Sequence, residues 1–100
     1  MSEAAVSMAE PGVLRLAGVL DYRSGPLLRK QGKALIGACG EAQVVLDCAA
    51  VQRSTSVGLS LLLAFMRDAQ AAGKGCQVRN MPADMREIAE VYDLDEVLAT

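Results

Sequence analysis

Gln43-Val44-Val45-Leu46-Asp47-Cys48, then Arg53-Ser54-Thr55-Ser56, then Val57-Gly58-Leu59-Ser60-Leu61-Leu62-Leu63-Ala64-Phe65-Met66 is the stretch that decides the fold of this 100-residue chain. Its opening is a continuous β-branched and apolar run over Val44–Leu46, the pattern of a strand covered on both faces. Its end reads as an unusually apolar helix that reaches about Ala72, where Gly73-Lys74-Gly75 stops it. Between strand and helix, Ser54, Thr55 and Ser56 fall at the helix N-terminus, beside free backbone N–H groups and the positive end of the helix dipole. Such a place suits a cap, an anion or a phosphate. Nothing else in the sequence looks like an active site.

Upstream, Val6–Ala9 and Val13–Ala17 read as short strands joined by Glu10-Pro11-Gly12, whose Pro-Gly step favours a hairpin. Gly18-Val19-Leu20-Asp21 reads as a loop, and Ser24-Gly25-Pro26 opens a helix over about Pro26–Ala38. Leu27, Leu28, Leu35 and Ile36 give that helix its apolar face, which Gly32 and Gly37 weaken. Downstream, Cys76-Gln77-Val78-Arg79 alternates like a strand. Asn80 and Pro82 then open a last helix with Asp84 and Glu87 in its first turns, favourable to the dipole. Met81, Met85, Ile88, Ala89 and Tyr92 form its apolar stripe. The end, with Leu94, Val97 and Leu98, folds back onto the core. The order β-β-α-β-α-β-α is that of an α/β domain with a mixed, mostly parallel sheet of four to five strands and helices packed on it. Residues 1–100 read as a single domain without linker, repeat or low-complexity segment.

The composition narrows the functional classes. The length suits one compact core. With 52% hydrophobic and 22% charged residues the chain is globular, and one Phe, two Tyr and no Trp make its core aliphatic. A net charge of −2 with scattered Lys and Arg argues against nucleic acid. Cys39, Cys48 and Cys76 show no CxxC spacing and read as reduced, buried thiols. Met1-Ser2-Glu3-Ala4-Ala5 lacks the pattern of an export signal, and the run Val57–Met66 is too short to span a bilayer. The absence of histidine removes most nucleophile–base pairs and the commonest metal ligand. There is no P-loop motif, and Asp93, Asp95 and Glu96 lack calcium-loop spacing. No enzyme activity, metal, cofactor or small-molecule ligand is expected.

Wound at helical pitch, the segment after Ser56 places Leu59, Leu62, Leu63 and Met66 on one face, with Leu61 and Phe65 extending it. Ser60, Ala64, Arg67, Asp68 and Ala71 lie opposite. The apolar arc is about twice the ~100° stripe of a one-sided surface helix. It is either core on both sides, or core with a margin around Ser60, Ala64 and Arg67 that docks another protein. The hydroxyls divide similarly. One is enough for an N-cap worth ~1 kcal/mol, which leaves two for other work. Phosphorylating one adds about −1.5 to −2 charges, which the helix N-terminus tolerates and an apolar partner docked there would not.

Val44-Val45-Leu46-Asp47, the turn Arg53-Ser54-Thr55-Ser56 with Gly58-Leu59, and the long apolar helix together resemble the STAS domain family. Leu16-Ala17-Gly18-Val19-Leu20-Asp21 is similar to that family's strand ending in Gly-x-Leu-Asp. The family includes bacterial anti-sigma-factor antagonists and domains of sulfate transporters. The ending Ile88-Ala89-Glu90-Val91-Tyr92-Asp93-Leu94 followed by Val97-Leu98 looks most like the small cytoplasmic STAS subunits of phospholipid ABC transporters. That likeness implies a non-enzymatic accessory subunit that binds and stabilises the transporter's ATPase subunit, and through it the membrane permease. Such a subunit supports phospholipid transport and outer-membrane lipid asymmetry, and is peripheral to the inner membrane on its cytoplasmic side. Ser56 falls on the family's key Ser/Thr, the phosphosite of the antagonists; a one-residue slip puts Thr55 or Ser54 there. The family's usual Asp before that hydroxyl is Thr55 here, and the usual glycine after it is Val57. The partner-binding residues expected are Ser54, Thr55, Ser56, Ser60, Leu61, Ala64 and Arg67. The alternative is an anti-sigma-factor antagonist switched by phosphorylation at Ser56. A ligand-binding domain is the third class and lacks a polar-lined pocket signature.

Overall fold

The computed structural model describes residues 4–94 and 96–98. Strands β1 (Ala5–Glu10) and β2 (Val13–Leu20) form an antiparallel hairpin, turned at Gly12 with its positive φ of 80°. Helix α1 (Gly25–Ala38) leads to β3 (Gln43–Ser54), helix α2 (Ser56–Ala71) to β4 (Gly75–Arg79), and helix α3 (Ala83–Val91) follows. The sheet has four strands in the order β1-β2-β3-β4, with β3 parallel to both β2 and β4. The expected element order and mixed sheet are therefore present.

Two local expectations are corrected. Gly18-Val19-Leu20 is strand, not loop: β2 runs on to Leu20, and the positive φ of Gly18 (83°) sits beside a register shift between Gly18 and Val19. The glycine serves a bulge inside the strand. Likewise β3 continues past Cys48 to Ser54, so Arg53 and Ser54 end a strand and do not form a turn. Register shifts against β2 let polar Gln52 and Arg53 stand exposed while Val51 and Ser54 stay buried.

The sheet is also not covered equally on its two faces. Leu14, Leu16, Leu20, Val44, Leu46 and Val78 are buried beneath the helices, whereas the alternate positions Val13, Ala17, Val19 and Val45 are half-buried and Arg15 is exposed. On this thinner side Asp47 is nevertheless buried. Its carboxylate accepts from the Ala49 N–H (3.0 Å), the Asn80 side-chain amide (3.2 Å) and the Arg79 guanidinium (3.2 Å). It thereby fixes the bulge of β3 to the exit of β4, where Asn80 takes a positive φ of 60°. Burial pushes this carboxyl up, but the hydrogen bonds and the arginine outweigh it and hold it below 3.8.

The helices settle which arcs face inward. In α1, Leu28 and Ile36 are buried and Leu35 packs against the core, but Leu27 is 59% exposed, a correction to its placement on the apolar face. Adjacent helical residues point about 100° apart, and near the start of α1 only the direction of Leu28 is covered by the core. In α2 the buried set is Leu59, Leu61, Leu62, Ala64, Phe65 and Ala69, while Leu63 and Met66 are only half-buried. The buried arc is turned toward α1 because Gly32 leaves room for the Phe65 ring: a Cβ at Gly32 would overlap the ring carbons. In α3, Met85 and Ala89 are buried and Ile88 half-buried, but Tyr92 is 60% exposed. The helix ends before it, and Asp93 turns the chain with a φ of 58°. Leu94 and Leu98 pack inward, Val97 does not, and Asp95 lies outside the described residues.

Replacing Asp47 with Ala leaves the Ala49 N–H and Asn80 unpaired and is expected to cost about 1–3 kcal/mol near neutral pH. Because the folded carboxyl is held below 3.8, its contribution is fully present above about pH 4 and is lost as pH falls through the lowered folded value. Urea unfolding of both proteins from pH 7 to pH 2.5 should show the difference shrinking on the acid side.

Candidate functional site

The three hydroxyls meet four chain segments at one corner, and each has a different task. Ser54 is buried; its hydroxyl donates to the Thr55 carbonyl (2.8 Å) and its N–H donates to Asp84 Oδ2 (3.1 Å) at the start of α3. A Cβ on Gly58 would run into Ser54 Oγ, so this glycine allows the first turn of α2 to sit directly on the end of β3. Thr55 is the N-cap: its Oγ1 accepts from the Val57 N–H (3.2 Å). Its N–H and hydroxyl both donate to the Leu20 carbonyl, at 3.0 and 3.3 Å, tying the cap to the end of β2. Ser56 is exposed on the first turn and takes no part in the capping. Of the three expected binding hydroxyls, only Ser56 is thus presented outward with its side chain uncommitted to the fold's junction.

Ser56 and Ser60, linked by a 3.3 Å bond from Ser60 Oγ to the Ser56 carbonyl, form an exposed ridge. One groove, of about 450 Å³, lies between this ridge and α1 and is lined by Tyr22, Arg29, Val57, Leu61, Ala64 and Arg67 among others. The other, of about 520 Å³, lies toward α3 and is lined by Thr55, Ser56, Glu87, Ile88, Val91 and Tyr92. Leu61 and Ala64 are mostly buried floor residues, and Arg67 is exposed on the rim. Five expected residues (Ser56, Ser60, Leu61, Ala64, Arg67) are therefore brought to one face, whereas Ser54 is internal and Thr55 is largely spent on the cap. The sequence reading missed Tyr22 (78% exposed), Val91 (80% exposed) and the outward turn of Tyr92. Both tyrosines of the chain end up exposed beside the ridge, and aromatic residues at a surface are the composition favoured in interfaces.

Fixed ion pairs frame this face. Arg29 grips Asp68 through both terminal guanidinium nitrogens, one at 3.1 Å, clamping α1 to α2. Asp21 holds the turn into α1 by accepting from Arg23 and from the Ser24 N–H. The Arg23 side chain is the main cause of its lowered carboxyl pKa. Cys48 is buried, whereas Cys39 and Cys76 are only half-buried. Burial pushes the Cys48 thiol up to about 12, with a further rise from Asp47, and pushes Cys76 up to about 11, which disfavours the reactive thiolate at both. Among the described residues no group of three His, Cys, Asp or Glu side chains is placed to hold a metal ion.

A family model described as "Mlab, STAS domain" matches residues 4–99, and the chain belongs to that family. Its fold is similar to a chain of the Acinetobacter MlaFEDB complex in an ATP-bound conformation, with 19% identity over 94% of this chain and 96% of that one and a TM-score of 0.80. It is also similar to the anti-sigma factor antagonist SpoIIAA in its unphosphorylated form (20% identity, 94% and 84% of the two chains, TM-score 0.72). An anti-sigma factor antagonist from Mycobacterium paratuberculosis matches at 26% identity over 97% and 82%, with a TM-score of 0.73.

Thr55→Ala removes the acceptor of the Val57 N–H and a tie to β2, and should lower stability by about 1 kcal/mol. Ser56→Ala should change it by less than about 0.5 kcal/mol, as for an exposed residue outside the cap. Gly58→Ala, forced against Ser54 Oγ, should destabilise by about 1–3 kcal/mol. Denaturant midpoints of the three variants distinguish these roles.

Proposed function

We propose that this STAS domain is a non-enzymatic accessory subunit that binds the ATPase of a phospholipid-transporting ABC complex of the MlaFEDB kind. The observation that carries the reading is the match of an MlaB-described family over nearly the whole chain, joined to a ridge at Ser56 flanked by grooves and exposed aromatics. An exposed hydroxyl between two partly apolar grooves is suited to protein docking: the grooves supply buried area, and the hydroxyl supplies a polar contact at its centre. The chain would stabilise the ATPase and contribute no nucleotide chemistry of its own. Its link to the permease, and so to phospholipid movement and outer-membrane lipid asymmetry, is indirect. No described helix is long and apolar enough to cross a membrane, so the inner-membrane association would come through the partner, on the cytoplasmic side.

Thr55 favours this reading over a phosphorylation switch. The antagonist pattern has an acidic residue at this place, and here the position is a neutral cap bonded to Leu20. The second reading, an antagonist switched at Ser56, draws on the likeness to SpoIIAA and on the exposure of that serine at a helix N-terminus. A dianion there would meet favourable backbone N–H groups on its own helix and repel Glu87 across the groove.

The test is a pull-down with tagged chain from cytoplasm and solubilised membranes, with Ser56→Glu and Ser56→Ala alongside. The expected result is recovery of an ABC ATPase with its permease, reduced about tenfold by Ser56→Glu, as for a charge forced into a docked interface. Recovery of a kinase-like anti-sigma factor in place of the transporter overturns it. Leu61→Arg is unsuitable as an interface probe, since Leu61 is 4% exposed and the change would break the packing of α2.

A further inference from the structure

The two grooves on either side of the Ser56–Ser60 ridge differ in charge. Among the described residues the groove toward α1 is lined by Arg29 and Arg67 and by no carboxylate, in a chain whose net charge is −2. The groove toward α3 is lined by Glu87 and, among the described residues, by no cation. Arg29 is already committed to Asp68, whereas Arg67 is exposed and forms no ion pair among the described residues. The floor beneath it is Val57, Leu61 and Ala64, and Tyr22 stands at the edge with its ring 6.0 Å from the Arg23 guanidinium. The groove is thus an apolar trough between two helices with arginine charge on its rim.

We propose that the α1–α2 groove seats an acidic amphipathic helix of the partner, its apolar stripe against Tyr22, Pro26 and Val57 over the nearly closed floor of Leu61 and Ala64, and a carboxylate on Arg67. A trough between helices fits a helical segment anchored at i, i+3 and i+4 spacing. The sign of the rim selects one that is acidic on the flank facing Arg67. The opposite sign at Glu87 fixes orientation, since a docked surface that reversed its charges would place like charges together on both sides of the ridge. The inference rests on the reading of this face as the partner-binding surface and specifies what the partner must present there.

Two helical peptides with one leucine stripe, flanked by Glu in the first and by Lys in the second, are titrated into the isotope-labelled 100-residue chain. The Glu peptide should perturb the amides of Tyr22, Val57, Ser60, Ala64 and Arg67, more weakly as salt rises. Arg67→Glu should weaken it about tenfold and Arg67→Lys less than about threefold, as expected where charge sign matters more than geometry; Glu87→Lys should leave it unchanged. Equal binding of the Lys peptide, or perturbations confined to another face, overturns the proposal. The Arg67 variants are also used in the pull-down. An ATPase that is lost with Ser56→Glu but retained with Arg67→Glu refutes the groove assignment and leaves the accessory-subunit reading standing. Binding of the Glu peptide by a chain that recovers no ATPase upholds the groove and removes the transporter.

Discussion

The structure hangs on the close approach of the first turn of α2 to the last residue of β3. Ser54 Oγ and the backbone of Gly58 occupy neighbouring space that any side chain at position 58 would fill. Because they fit, Thr55 can cap α2 while bonding the end of β2, and Ser54 can bond Asp84 at the start of α3. Two strand ends and two helix starts are therefore fixed at one corner by a few hydrogen bonds, each of modest net strength and together without slack. The exposed Ser56 inherits its position from that corner. Its place is set by neighbours that themselves are buried or bonded.

Much of this was legible in the residues. The continuous β-branched and apolar run Val44–Leu46, the hydroxyls before a strongly apolar segment and the Gly73–Gly75 stop locate β3 and α2 because each rests on local physics: strand propensity, capping and positive φ. The ends of strands were less legible. Gly18 carries a turn signal that the fold uses in a bulge, and Gln52-Arg53 are polar because β3 runs on past the densest part of the core. Such features depend on pairing with a strand far away in sequence, which no window of local residues contains.

The site was legible in part for the same reason. Helical periodicity places Ser60, Ala64 and Arg67 on one side of α2, but whether that side is covered depends on α1. The structure answers residue by residue: Ala64 is buried, whereas Arg67 and Ser60 are exposed. Likewise three adjacent hydroxyls are equivalent in a sequence and unequal in space, one inside, one bonded across the junction and one facing out. Tyr22 and Val91 belong to a short turn and a helix end, where exposure follows from how neighbouring elements are set and leaves no periodic trace.

Gly32 has a consequence for how this face can diversify. It sits inside the α1–α2 contact and lines neither groove, yet its missing side chain sets how near the two helices lie around Phe65. The spacing of the two helices beside the groove is thus set by a position outside the groove lining. Paired changes at Gly32 and Phe65 could widen or narrow the groove while keeping every surface residue, so that the shape of this face would drift without a visible change in its exposed sequence.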